Sequence, residues 1–222
     1  GPAVSPSSQT VTVNPGAAAS IQLSGIANPS AAGTAQSVTV TARDSLGNIA
    51  TGYTGTVAFT STDSAATLPA NYTFTSGTGA DNGIHTFTNA LTLKTAGSQT
   101  VTVSGIAGPA VSPSSQTVTV NPGAAVSFSV SAPASVPPYS PFSVTVTAFD
   151  AFGNTATGYS GTVHFTTTCP SGSLPADSTL TSGVGTFSVT FYIYPGSFTI
   201  TATDTGTSTI TGTSNPISVG GV

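Results

Sequence analysis

Charge is almost missing from this chain. Only 4% of its 222 residues are Asp, Glu, Lys or Arg, against about 25% in ordinary soluble proteins. Two bases, Arg43 and Lys94, cannot form the cationic patch that releases counterions from a phosphate backbone, so nucleic acid is excluded as a partner. The six acids are scattered aspartates, and the net charge of −4 gives little steering or self-repulsion. A surface so poor in ions favours side-by-side association. Tryptophan and methionine are absent, and a single Cys169 cannot form an internal disulfide. No apolar run approaches the roughly twenty residues of a bilayer-crossing helix, so no membrane span is expected. The start resembles no secretory leader, and the expectation is a mature product or an excerpt of something longer.

What the chain does have is repetition. The segment GPAVSPSSQTVTVNPGAA at Gly1–Ala18 returns unchanged at Gly108–Ala125. A period of that length is a whole domain, not one turn of a solenoid. SVTVTARDSLGNIATGYTGTVAFTS, starting at Ser37, is answered by SVTVTAFDAFGNTATGYSGTVHFTT, starting at Ser143. Farther on, Thr86-Phe87 answers Thr186-Phe187, which places a deletion in the second repeat at the loop around 78–82, where a tip tolerates it.

Apolar and hydroxyl residues alternate with period two, as in 37–42 and 56–60, and no long 3.6-residue pattern interrupts them. The wealth of Thr and Val suits pleated, half-buried strands. Seven strands are predicted in the first repeat, at about 19–25, 36–44, 55–61, 71–75, 84–93, 98–104 and 112–120, separated by Gly, Pro, Asn and Asp turns. In the second repeat, Thr209 to Val219 is read as the closing strand. The fold class is all-β: two tandem immunoglobulin-like seven-stranded sandwiches, 15–121 and 122–222. Residues 1–14 form a separate segment. Because Val4–Val13 copies Val111–Val120, it reads as an extra strand homologous to the last strand of a preceding module.

Val-Thr-Val-Thr-Ala-x-Asp-x-x-Gly-Asn from Val38, followed by Thr-Gly-Tyr-x-Gly-Thr-Val-x-Phe from Thr51, occurs in both repeats. These motifs resemble the tandem bacterial immunoglobulin-like (Big) domains of large surface proteins of the invasin and intimin type. The resemblance covers nearly the whole chain, departing at Ile49 and Thr155, where many relatives have Pro. It implies stalk, adhesin or fibre modules, without catalysis, in an extracellular or cell-surface setting.

Several residues invite a function. An unpaired alternating strand is a template for association, so Val4, Val11 and Val13 are candidate assembly residues. They would add to a neighbouring copy head to tail, as in a propagating fibre. Asp44 and Asp150 open the Asp-x-x-Gly-Asn turns, where Asp accepts backbone N–H bonds and Gly takes positive φ. Together with Asp204 they are also weak candidates for calcium, which wants six to eight oxygens; no other cofactor is implied. His85 and His164 have no counterparts in the other repeat, and no Gly-x-Ser-x-Gly elbow accompanies them, so no enzyme is expected. His164 beside Cys169 offers two zinc ligands where a structural site needs four, and reads as a surface histidine next to a lone thiol.

Tyr192 and Tyr194 flank Ile193 in a strand whose inward set is Phe187, Val189, Phe191 and Ile193, so both should face outward as possible contact aromatics. At an offset of 100, Thr92 and Lys94 stand in their places in the first repeat. Tyr53 and Tyr159 should cap the core, with their hydroxyls bonded to backbone. Asn71-Tyr-Thr is the N-glycosylation sequon. The expected role is a non-enzymatic structural repeat of an extracellular fibre or stalk whose partners are copies of itself or neighbouring repeats. The alternative is a glycan-binding or adhesin accessory module.

Overall fold

The structure, a computed structural model, describes residues 4, 6–193 and 195–220. In the first repeat β1 (Ala18–Ser24), β2 (Ser30–Ala31), β3 (Ala35–Asp44), β4 (Thr56–Ser61), β5 (Tyr72–Thr73), β6 (Ile84–Thr92), β7 (Gly97–Ala107) and β8 (Ser114–Asn121) follow in order. They form two sheets, β1-β3-β6 and β2-β8-β7-β4-β5. Alternation along β3 and β7 sends Val38, Val40, Ala42, Val101 and Val103 into one core with Ile21, Leu91 and Val118. The outward positions carry hydroxyls that pair across strands, such as Thr39 with Thr86 at 2.9 Å and Thr102 with Ser115 at 2.8 Å. Cross-strand threonines thus do the wetting that ions do elsewhere.

The second repeat contains β9 (Ser127–Ser131), β10 (Ser135–Val136), β11 (Pro141–Phe149), β12 (Thr162–Thr167), β13 (Gly172–Ser173), β14 (Ser178–Thr179), β15 (Val184–Phe191), β16 (Gly196–Phe198), β17 (Ile200–Asp204), β18 (Thr211–Thr213) and β19 (Ile217–Val219). Its sheets run β13-β15-β11-β9, β14-β12-β17-β18 and β10-β19-β16. A second core gathers Val144, Val146, Val163, Phe165, Phe191, Ile200 and Ile217. Together these sheets make an all-β, immunoglobulin-like architecture.

Four expectations change. First, β2 was not predicted: past Gly25, at φ +92°, the chain crosses to the other sheet, where Ser30 pairs in parallel with Val120. Second, Thr209 to Val219 is not one strand. Asn215-Pro216 separates β18, which pairs with β17, from β19, which pairs with β16 and β10.

Third, the extra N-terminal strand is not formed. Residues 4 and 6–17 carry no strand, Val4, Val11 and Val13 are exposed, and Gly1–Ala3 and Ser5 lie outside the described residues. Their copy becomes β8 only by hydrogen-bonding along β7, from Ser114 against Val103 to Val120 against Gly97.

Fourth, a bulge shifts the correspondence between the repeats. Between the pairs Val38↔Phe87 and Gln36↔Leu91, β6 holds two residues more than β15 does between Val144↔Phe187 and Phe142↔Val189. Asn89, at φ +50°, takes up the excess. Leu93 therefore answers Phe191, with Gly33 N–H donating to the Leu93 carbonyl as Tyr139 N–H does to that of Phe191. It follows that Lys94, not Thr92, stands where Tyr192 does.

Candidate functional site

The Asp-x-x-Gly-Asn turns are built alike, hydrogen bond for hydrogen bond. Asp44 Oδ1 accepts from the N–H groups of Leu46 and Asn48, both at 2.9 Å, and Oδ2 from Gly16 N–H at 2.9 Å and Asn48 Nδ2 at 3.1 Å. Asp150 Oδ1 accepts from Phe152 and Asn154, both at 2.9 Å, and Oδ2 from Gly123 N–H and Asn154 Nδ2, both at 2.8 Å. Gly47 and Gly153 sit at φ +87° and +82°, the left-handed step that closes the turn. Each aspartate thus fastens the Asn-Pro-Gly connector to the turn that follows β3 or β11 of its own repeat.

The hydrogen bonds fix the charge state. The Gly16 N–H, aided by the Asn48 side chain, holds the Asp44 carboxyl at about 2. Burial opposes ionisation of Asp150, but the Asn154 side chain and Gly123 N–H outweigh it and keep its carboxyl below the usual range.

The second turn reaches across to the first repeat. Asn154 Oδ1 accepts from Ala96 N–H at 2.8 Å, and Asn154 Nδ2 donates to the Lys94 carbonyl at 2.8 Å. Beside this clamp the Phe152 ring covers Gly33, so closely that a Cβ there would lie 2.3 Å from the ring. Asp63 stiffens the receiving loop: its carboxylate accepts from the N–H groups of Lys94 at 2.6 Å and Thr95 at 3.0 Å, and from Thr95 Oγ1 at 2.7 Å. The first repeat thus offers a glycine seat, a carbonyl and an N–H at its distal end, and the second inserts a phenyl ring and an amide.

Neither this junction nor Asp63 was foreseen from the sequence. In the sequence Asn48 and Asn154 are turn residues only, and the residue two before each, Leu46 and Phe152, is an apolar side chain in a polar turn. That was the available signal.

The third calcium candidate lies elsewhere. Asp204 accepts from Tyr159 Oη in a short bond, from Gly206 N–H at 2.8 Å and from Thr207 N–H. The Tyr159 hydroxyl is the main cause holding its carboxyl below the usual range. Among the described residues no three His, Cys, Asp or Glu side chains gather.

Tyr159 therefore caps its core on a carboxylate, not on backbone as expected. Tyr53 caps with nothing: its buried hydroxyl has no partner among the described residues. The reason is one position. Gly105 faces Val57 where Asp204 faces Val163.

At the distal end of the second repeat Tyr192 is 44% exposed and Tyr139 is 69% exposed, their ring centroids 6.1 Å apart. Tyr194 lies outside the described residues. Tyr139 occupies the turn of Gly33, at φ +59°, so an aromatic pair stands where the first repeat keeps its glycine seat.

The histidines lie apart. His85 Nδ1 is 2.7 Å from Asp81 and its ring stacks on Tyr72, while exposed His164 lies 2.7 Å from Asp177. Cys169, the lone thiol, is buried in the second core, its Sγ 3.1 Å from the Ser171 carbonyl oxygen. Asn71, the sequon asparagine, is exposed immediately before β5.

No protein-family model and no curated protein matches the chain. Several solved structures are similar to it. FdeC, an adhesin of Escherichia coli, is similar over 95% of this chain and 66% of that one, with 24% identity and a TM-score of 0.48. InvE, an adhesin of Yersinia pseudotuberculosis, is similar over 90% of this chain and 58% of its own, with 19% identity and a TM-score of 0.36. Invasin, a bacterial integrin-binding protein, is similar over 88% and 39%, with 22% identity and a TM-score of 0.38. This chain spans only part of the length of each.

Proposed function

We propose that this chain is a non-enzymatic structural element of a bacterial extracellular fibre or cell-surface stalk, its repeats at 15–121 and 122–222 stacked head to tail. The observation that carries this reading is the two-bond clamp of Asn154 on Lys94 and Ala96, with Phe152 seated on Gly33. A side-chain amide donating and accepting at once fixes orientation better than a contact between smooth surfaces, and it needs no charge.

Stacking is favoured over strand donation by Val4, Val11 and Val13. The slot that a copy of β8 would enter is filled in the first repeat by β8 itself, beside β7, and in the second by β19, beside β16.

Small-angle scattering of the chain and of Asn154→Ala tests the reading. The parent should fit a single relation between its repeats and the variant a broad distribution; equal flexibility in the two would refute a stiff stalk. The Tyr139–Tyr192 pair favours a second reading, contact with sugar rings in an adhesin. A glycan array with Tyr192→Ala as control tests it: binding lost in the variant supports the reading, and no binding by the parent removes it.

A further inference from the structure

The turn of the first repeat is a second copy of the docking element, and it is uncovered. Leu46 stands where Phe152 stands and Asn48 where Asn154 stands, on carboxylates with matching bonds to four equivalent donors. Yet Leu46 is 86% exposed and Phe152 only 45%. Asn48 is exposed, and among the described residues its Oδ1 accepts no hydrogen bond, whereas Asn154 Oδ1 holds Ala96. A hollow of about 350 Å³ lies beside it, lined by Val13, Asn14, Pro15, Asn48, Ile49 and Thr51.

We infer that the Leu46–Asn48 face is a docking surface for the distal end of another immunoglobulin-like repeat of the first kind. That is an end presenting a glycine at the Gly33 turn, a free carbonyl at the Lys94 position and a free N–H at the Ala96 position. Two observations choose this occupant. The residues leading into the face, 1–18, are identical to those that lead from the end of the first repeat into the second. The chain also enters both turns by the same bond, Gly16 N–H on Asp44 and Gly123 N–H on Asp150. In the docked pair Leu46 covers the glycine, Asn48 Oδ1 accepts from the N–H, and Asn48 Nδ2 donates to the carbonyl. The second repeat's own distal end does not qualify, because Tyr139 fills the seat.

This inference rests on the stacking reading, and its test separates the two. A copy of residues 1–107 placed ahead of Gly1 makes a three-repeat chain with no foreign sequence, since Ala107 is followed by the same residues in either case. Amide hydrogen exchange by NMR then reads two Ala96 N–H groups. The one held by Asn154 reports the stacking already described. The one in the leading copy should exchange slowly, become about tenfold faster on Asn48→Ala, and return NOEs from its neighbouring Gly33 to the Leu46 methyls.

Gly33→Tyr in the leading copy, a residue the second repeat carries at this turn, should release the same amide without touching Asn48. If the leading Ala96 exchanges at the same rate in all three chains, the inference is overturned, while protection of the other Ala96 leaves the stacking reading intact. Concentration-dependent shifts of the Leu46 methyls in the 222-residue chain would make a second copy the occupant and also overturn it.

Discussion

The Asp-x-x-Gly-Asn turns at the proximal ends of the two repeats are near duplicates, and the distal loops opposite them are not. At the proximal ends Asp44 and Asp150 hold the same four donors. At the distal ends Gly33 is answered by Tyr139, Lys94 by Tyr192, and Asp63 by Cys169, whose N–H is capped by Thr167 as that of Asp63 is by Ser61. A polar loop braced by a carboxylate has become an aromatic loop over a buried thiol. The turn by which the chain enters a repeat is kept constant while the loop at the far end varies, and in the stacking proposed above it is the distal end that would decide which neighbour can follow.

The largest effect that would sharpen this contrast is loss of the brace. Asp63→Ala strips acceptors from the N–H groups of Ala65, Lys94 and Thr95 and should lower the stability of the first repeat by about 3 kcal/mol. Cys169→Ala, which removes only a small buried group, should cost the second about 1 kcal/mol. Thermal unfolding followed by calorimetry compares them; equal losses would break the distinction drawn here.

The tyrosines give effects of opposite sign. Tyr159→Phe removes a charge-assisted bond to Asp204 and should destabilise by about 2 kcal/mol. Tyr53→Phe removes a hydroxyl buried without a partner and should stabilise by about 1 kcal/mol. Denaturant unfolding that destabilised both variants equally would mean that the Gly105-for-Asp204 exchange has no energetic consequence.

Acid should act on both ends. Asp44, Asp63, Asp81, Asp150 and Asp204 all have carboxyls held below their ordinary value. Between the depressed folded values and the ordinary value near 3.8, the unfolded chain binds more protons than the folded one. Stability is therefore fully present above the unfolded value and falls as pH drops through the folded ones, which for Asp44 lie near 2. Melting temperature should be flat from pH 7 to about 5 and decline below about 4. A decline already under way above about pH 5 would refute the assignment to these aspartates. The smallest thermal effect is expected for Phe152→Ala, which should loosen the junction seen by scattering while leaving the melting of each repeat nearly unchanged.

Strand positions were legible because alternation is a local signal: β1, β3, β4 and β6 fall within a few residues of their predicted spans. The deletion in the second repeat was legible too, since Phe74 to Gly83 is a loop and Leu180 to Gly183 a tight turn. Where pairing depends on a distant partner, local pattern failed. Val4–Val13 and Val111–Val120 have identical letters, yet only the second lies beside β7. The Asn89 bulge was invisible because two added residues leave the period-two pattern in phase, so Lys94 was matched to the wrong residue. The clamp was missed for a related reason: an asparagine satisfying its own turn and one reaching another repeat look the same in one dimension.

The hydroxyl ladders of the outer faces carry a consequence for where such a molecule can work. Salt has little to screen here, because the chain carries only two bases and six acids and the outward threonines are neutral. Its mechanical integrity should be the same in dilute buffer and in brine, and trypsin finds only two residues after which to cut.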